Sequence, residues 1–372
     1  MNIAVLKNNL KEALGIVSGA RKENSQLPIL KNILLETRDD GIYMSATDLE
    51  IGMHHKIAGK VVEKGRIALP YGVISQIINN LSFERVSLET KGSALMVEAD
   101  NYKAKITTTP PDDFPIIPSV SNIAPEFKID TQLFLDALQN VSVACQVSDF
   151  RPELSGVLMH IKNGSIHLVA TDSFRLAKQE ISDKKIKTDF DGELSCIIPL
   201  RTVQEVIRVY SGKKQDTLSF SIDENQIAFV SETTTIVSRR INGNFPDYEA
   251  VIPALYDAEV SVKKEDIISA LKLTSSLANR LFEVRFMLDE DMKYIKLISS
   301  SSEFGESEYM LPVKASGQKL EISFNWRFVL DGLKGIKTDT VFLGLNNEQK
   351  PNVIKSATDT GYVYVLTSIK TN

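Results

Sequence analysis

Cysteine is nearly absent. Cys145 and Cys196 are the two thiols in 372 residues, too few and too far apart for a disulfide framework or a thiolate zinc site. A reducing compartment is the simplest setting, and a cytoplasmic protein is expected. Histidine is also scarce, at four residues. His54 and His55 are adjacent in a predicted strand, so they project to opposite faces and do not converge on a metal. No apolar run approaches the roughly 18 residues of a membrane span. The opening stretch MNIAVLKNNLKEALGIV mixes polar and acidic residues into its apolar pattern, which reads as a strand and helix and not as a signal peptide. The motifs GxxxxGK[ST], HExxH, GxSxG and CxxC are all missing, and Ser211-Gly212-Lys213-Lys214 lacks the phosphate-loop frame. No cofactor, no metal and no catalytic residue is expected. Positive charge is not in excess either: the net charge is −5. That argues against an obligate nucleic-acid binder, although a protein acidic outside can still carry a locally basic surface.

What the chain does contain is the same module three times. Ala46-Thr47-Asp48 recurs as Ala170-Thr171-Asp172, 124 positions later and thus a third of the 372-residue length. Phe114-Pro115 recurs as Phe245-Pro246, and Ala13-Leu14 recurs as Ala137-Leu138 and Ala270-Leu271. Such a long period indicates three full domains and not a short-period solenoid. The predicted domains are 1–120, 121–253 and 254–372, with linkers at 116–126 and 253–260. Each copy opens with a strand and a helix that carries an apolar stripe, such as Leu6, Leu10, Leu14 and Val17. A strand pair follows. In the second copy it turns at Asn163-Gly164, a strong hairpin signal. A second helix is predicted over 71–81, 200–210 and 326–336, each preceded by proline or asparagine. Every copy is therefore an α+β unit of two helices on antiparallel strands.

Asp48 and Asp172 hold matched places. A catalytic carboxylate could do so, but a turn-forming aspartate at a strand end does it more often. The helices carry basic faces: Lys7 and Lys11 at i, i+4 with Arg21-Lys22 beyond; Arg201, Gln204 and Arg208 at i, i+3, i+7; Arg327 and Lys334 with Lys337 further on. Solvated helix faces often look like this. Recurrence in equivalent helices of an acidic chain favours a shared ligand, while Glu205 and Asp331 dilute the signal.

Five motifs in order identify a relationship: Leu27-Pro28-Ile29-Leu30-Lys31-Asn32, Ala46-Thr47-Asp48-Leu49-Glu50, Asp113-Phe114-Pro115, Ala170-Thr171-Asp172 with Arg175-Leu176, and Phe245-Pro246-Asp247-Tyr248. With them the chain resembles, over its whole length, the bacterial DNA polymerase III beta-subunit family, the sliding clamps. The resemblance implies a non-catalytic head-to-tail homodimer closed into a six-domain ring. Twelve helices spaced ~9 Å apart would make a circle of roughly 110 Å, leaving an opening of about 23 Å that admits duplex DNA. Basic residues on those helices would then meet phosphates without reading sequence, namely Lys7, Lys11, Arg21, Lys22, Arg151, Arg201, Arg208, Arg327 and Lys334. Sheet edges around Ala104, Ile106, Leu277, Glu303 and Glu308 would close the ring.

The resemblance further implies a groove for linear motifs of the polymerase alpha subunit, the clamp loader, and other polymerases and repair proteins. Its residues would come from the second copy (Leu154, Thr171, Phe174, Arg175, Leu176, Pro246 and Val251), from the third (Asn325 and Phe328), and from the last strand (Val363, Tyr364, Val365 and Leu366). The chain departs from the family pattern at Val365-Leu366-Thr367-Ser368, where a methionine-proline-methionine-arginine segment is usual. Phe174 stands where histidine or tyrosine is common, and Ala250 where a basic residue is often found.

Overall fold

The computed structural model describes residues 1–22, 26–118, 125–148, 150–212 and 216–370. Among these are six α-helices: α1 (Lys7–Val17), α2 (Tyr71–Asn80), α3 (Thr131–Ser142), α4 (Leu200–Tyr210), α5 (Lys264–Thr274) and α6 (Trp326–Lys334). They fall two to each predicted copy. Helix α6 ends two residues before the predicted limit. Gly332 and Gly335 lie against the last strand there: an added Cβ would fall 2.5 Å from Tyr364 Cδ1 at Gly332 and 2.3 Å from Tyr362 Cζ at Gly335. Glycine thus lets the helix end settle onto two buried tyrosines.

The chain divides into two compact units. The first comprises Met1–Gln132, Lys187–Phe190 and Gln204–Arg240; the second comprises Leu133–Ile186, Asp191–Val203 and Ile241–Asn372. Each unit pools a terminal copy with part of the middle one, because strand pairing runs on past the copies. In the first unit, Thr234–Arg239 of the middle copy pairs antiparallel with Ile51–Ile57 of the first copy. In the second unit, Arg175–Ile181 pairs with Tyr362–Leu366.

The first unit has a five-stranded sheet ordered Gly59–Glu63, Asn2–Leu6, Arg85–Lys91, Ala94–Ala99, Tyr102–Thr107. Its larger sheet continues from Thr234–Arg239 and Ile51–Ile57 through Gly41–Thr47 and Asn32–Arg38 to Arg66–Pro70. The apolar stripe of α1 is buried through Leu10, Ala13, Leu14 and Val17. His54 and His55 sit on opposite faces as predicted. His54 Nδ1 is 2.7 Å from Ser45 Oγ, and His55 Nδ1 is 2.9 Å from Thr234 Oγ1. Burial holds His54 down to about 4, with the Arg38 charge adding to it.

The second unit has a nine-stranded sheet that runs from Leu194–Pro199 through Gly156–Lys162, Ser165–Thr171 and Arg175–Ile181 to Tyr362–Leu366 and beyond. Asn163 and Gly164 have φ of 51° and 75°, the left-handed pair of a tight hairpin, as their sequence predicts. A four-stranded sheet has the order Gly305–Pro312, Tyr294–Ser301, Glu283–Leu288, Leu320–Asn325. Both strands expected at dimer edges are edge strands, Tyr102–Thr107 in one sheet and Gly305–Pro312 in the other. Within them, Ala104 is half-buried, and Glu308 is exposed and bonds Lys296 at 3.0 Å. Two particulars differ from expectation. Ile106 turns into the core at 5% exposure, following strand alternation. Glu303 lies in the turn before Gly305–Pro312 and not on the strand. Leu277 ends the short helix after α5 and is half-buried.

Candidate peptide cleft and charged helix faces

The site in the second unit begins with one turn. Thr171 Oγ1 donates to Arg175 O at 2.7 Å and accepts from Ser173 N at 3.1 Å. Asp172 Oδ1 accepts from Phe174 N and Arg175 N, both at 2.9 Å. Ser173 is thereby held at φ 75°. The turn-forming reading of the aspartate is the right one, and its function is to aim two side chains. Phe174 projects outward, 64% exposed. Arg175 turns inward with a side chain 12% exposed.

Four groups receive Arg175. Its Nε donates to Asp172 Oδ2 at 2.9 Å, and its Nη1 donates to Asp331 Oδ2 at 2.9 Å and to Tyr364 Oη at 3.4 Å. Its guanidinium also stacks 4.1 Å above the Phe328 ring. A cation so enclosed is tolerable only because two carboxylates accompany it. Burial raises the Tyr364 phenol, which stays neutral. Burial likewise pushes the neighbouring Cys145 thiol up to about 12, keeping it an unreactive small group.

Beside this turn lies a cleft of about 490 Å³. Its apolar surface comes from Leu176, Pro246, Val251 and Val365, with Phe174 at one side. Leu158, Val169, Ile197 and Val353 form one buried cluster with Leu176, Tyr248 and Val365, which makes the floor rigid. Asp247 Oδ1 accepts from Glu249 N and Ala250 N, at 3.1 and 3.3 Å, and so shapes the Phe-Pro-Asp-Tyr corner. Tyr248 is fixed from behind, its hydroxyl 3.1 Å from His160 Nδ1, while His160 Nε2 bonds Glu193 at 2.7 Å. Burial, with the Glu249 charge, pushes the Tyr248 phenol up to about 12, so it remains protonated.

A second groove of about 760 Å³ shares Ser173, Phe174, Pro351 and Thr367 with the first. Asn325 and Phe328 line it; the Asn325 side chain caps α6 by accepting from Arg327 N at 3.0 Å. The chain end frames this groove: Thr367 N and Oγ1 both donate to Phe174 O, and Ile369 N donates to Ser323 O at 2.8 Å.

Of the residues expected in the pocket, Thr171, Phe174, Arg175, Leu176, Pro246, Val251 and Val365 line the first cleft, and Asn325 and Phe328 line the second. Four do not line either one. Leu154 is wholly buried, Tyr364 and Leu366 face away by strand alternation, and Val363 packs against the floor cluster. Phe245, Asp247, Tyr248, Pro351 and Thr367 line the cleft without having been expected. The Phe-Pro-Asp-Tyr motif could have pointed to three of them. Nothing periodic marks Pro351 or Thr367.

The basic residues differ in exposure and in the partners they hold. Arg208 donates to Gly15 O and Ile16 O at the end of α1, both at 2.8 Å, and to Glu205, so it caps a helix. Lys7 donates to Leu81 O at 3.2 Å, and Arg21 lies 4.2 Å above the Tyr71 ring. Arg151 lines the first cleft and donates to Ser173 Oγ at 3.1 Å. Arg327 sits 3.6 Å above the Phe282 ring. Lys334 bonds Asp331 at 3.1 Å but is 62% exposed. Lys11, Lys22 and Arg201 are exposed.

Comparison with known proteins agrees with this architecture. The chain matches the DNA polymerase III beta subunit in three successive stretches: its N-terminal domain over 1–118, its central domain over 128–247 and its C-terminal domain over 249–370. The chain belongs to the DNA polymerase III beta-subunit family. A Chlamydia muridarum beta sliding clamp is 28% identical over 98% of both chains. The crystal structure of the Thermotoga maritima DNA polymerase III beta subunit covers all of both chains at 29% identity with a TM-score of 0.88. The Bacillus subtilis sliding clamp, at 23% identity and a TM-score of 0.93 with full coverage, shares the fold. The fold class is accordingly α+β, with repeated clamp domains of helices on antiparallel sheets. No helix among the described residues is long and apolar enough to cross a membrane.

Proposed function

We infer that this member of the family acts as a DNA sliding clamp of replication, a non-catalytic processivity factor that encircles duplex DNA and tethers partner enzymes. The unbroken run of three beta-subunit domains along the chain carries this reading. Domains 1–120, 121–253 and 254–372 are its repeating units. Two copies join head to tail, pairing the open edge at Tyr102–Thr107 with that at Gly305–Pro312. Exposed Phe304 and Met310 on and beside the second edge support this assignment. Topological linkage needs no base contacts, so Lys11, Lys22, Arg201, Arg327 and Lys334 meet phosphates through weak, sequence-independent attraction. The acidic net charge discourages DNA from binding elsewhere.

The cleft takes an extended apolar peptide, with Phe174 dividing its two halves. Occupants are segments of the polymerase alpha subunit, the clamp loader, and further polymerases and repair proteins. The compartment is the cytoplasm, and no membrane or cofactor takes part. The deciding experiment loads the protein onto nicked circular DNA and then linearises the circle. Retention on the circle and loss from the linear molecule is expected; retention on free ends would overturn the reading. Peptide binding without retention on circles would leave only a scaffold. Solution mass at micromolar concentration tests the dimer.

A further inference from the structure

Helix α6 carries both of the surfaces just described, and one carboxylate lies between them. Arg327, Asp331 and Lys334 follow at i, i+4 and i+7 on one face. Asp331 uses its two oxygens in opposite directions. Oδ2 accepts from Arg175 Nη1 at 2.9 Å, toward the peptide cleft, and Oδ1 accepts from Lys334 Nζ at 3.1 Å, toward solvent. The two cations differ in setting: the Arg175 side chain is 12% exposed and that of Lys334 is 62% exposed. We propose that Asp331 is a shared counter-ion and positioning residue that couples phosphate binding at Lys334 to the order of the peptide cleft. The proposal rests on the reading above, in which Lys334 meets DNA and the cleft takes a peptide.

The physical argument is one of division. While Lys334 bonds Asp331, the carboxylate's charge serves two cations. The dense negative charge of a DNA backbone attracts an exposed ammonium more than one carboxylate already shared with Arg175 does, and draws Lys334 away. Asp331 is then left to Arg175 alone. Arg175 cannot follow the phosphate, because Asp172, Tyr364 and Phe328 enclose it. Its ion pair tightens instead. Arg175 belongs to the turn that sets Ser173 and Phe174, so a firmer Arg175 means a better ordered cleft wall. A peptide that meets an ordered wall loses less conformational freedom on binding. DNA and peptide therefore favour each other, and the factor is the same in both directions.

The test uses the full-length dimer, a short DNA duplex at low salt, and a capped pentapeptide of alternating leucine and serine, which presents its leucines to one face when extended, carrying an uncharged fluorophore. An uncharged probe removes direct attraction between peptide and DNA. Saturating duplex is expected to tighten peptide binding about five-fold, the lower end of the usual range for coupled sites, with the same factor found for duplex affinity when peptide is saturating. Lys334→Gln should abolish the coupling and raise DNA-free peptide affinity toward the value that the unmodified protein reaches with saturating duplex, because Asp331 then serves Arg175 alone. Asp331→Asn should abolish it as well, and Asp331→Glu should restore most of it; a purely structural role for Asp331 would change peptide affinity without touching the coupling. The proposal is overturned if both ligands bind independently in the unmodified protein, or if the coupling survives Lys334→Gln. Loss of all peptide binding or all duplex binding in the unmodified protein would instead sink the underlying reading, and each shows in its own titration.

Discussion

Two turns in this chain have the same sequence frame and nearly the same geometry, and only one of them belongs to a site. In the first copy, Thr47 Oγ1 donates to Ile51 O at 2.9 Å and Asp48 Oδ1 accepts from Glu50 N and Ile51 N. In the second, Thr171 and Asp172 make the same three bonds to Phe174 and Arg175. Leu49 and Ser173 take matching φ values of 77° and 75°. The divergence lies in what the turn displays. Ile51 is buried in its own unit, whereas Arg175, at the same place, gathers Asp172, Asp331 and Tyr364, and Phe174 stands in the open. A repeated backbone device is thus neutral; two side chains make it a site.

The largest expected effect sharpens this contrast. Arg175→Ala leaves Asp331 and Tyr364 without their buried partner, which costs about 3 kcal/mol of stability, and peptide affinity falls at least about ten-fold, roughly 1.4 kcal/mol. Ile51→Ala removes a buried aliphatic side chain and costs a similar ~2–3 kcal/mol while leaving peptide affinity alone. If Ile51→Ala also weakens the peptide, the contrast fails.

Acid separates the two copies next. His54 pairs with Ser45, two residues before Thr47, whereas Lys178 holds the matching register opposite Val169. The folded His54 titrates at about 4, below its ordinary 6.5. Its contribution is complete above pH 6.5. It is lost as pH falls from there toward 4, because the unfolded chain takes the proton first. The loss reaches roughly 3 kcal/mol near pH 4. Urea unfolding at pH 7 and pH 4.5 should show a smaller acid penalty for His54→Gln than for the unmodified chain; an equal penalty would refute this.

A milder pair of measurements shows what Arg175 adds. Asn in place of Asp172 keeps the turn-forming oxygen and removes the charge. Asp172→Asn should cost about 1.5–2 kcal/mol in the unmodified chain, through loss of the charge-assisted bond to Arg175, and clearly less in an Arg175→Met background. Equal costs in chemical denaturation would mean that the ion pair contributes nothing. The smallest effect is a gain. Ser173→Gly relieves a side chain held at positive φ and should stabilise by about 0.5 kcal/mol, provided that Arg151 loses little with the Ser173 hydroxyl.

Much of this molecule was legible beforehand, for physical reasons that individual residues illustrate. Asn163-Gly164 forms its hairpin because few other pairs accept two left-handed residues in succession. The stripe of α1 is buried where its period placed it. Asp48 and Asp172 close turns because a short carboxylate reaches its own backbone two and three residues on. The failures also have physical causes. Arg208 lies on a basic helix face by spacing, yet its guanidinium ends on two carbonyls of a helix that is remote in sequence. Arg151, named among the expected DNA contacts, also lines the cleft, which its place in the sequence did not signal. Tyr364 and Leu366 were assigned with Val365, but a strand shows only alternate residues to one side.

What the residue order determined by itself is whatever depends on near neighbours: the threefold repeat, the helices and hairpins, the two matched turns, and membership of the family through short motifs in sequence. The division of the middle copy between two units, the meeting of Arg175 with Asp331 and Tyr364, and the placing of Pro351 and Thr367 beside Phe174 were decided by tertiary structure alone. These contacts join residues more than 150 positions apart, and no local period or propensity carries information across such a distance.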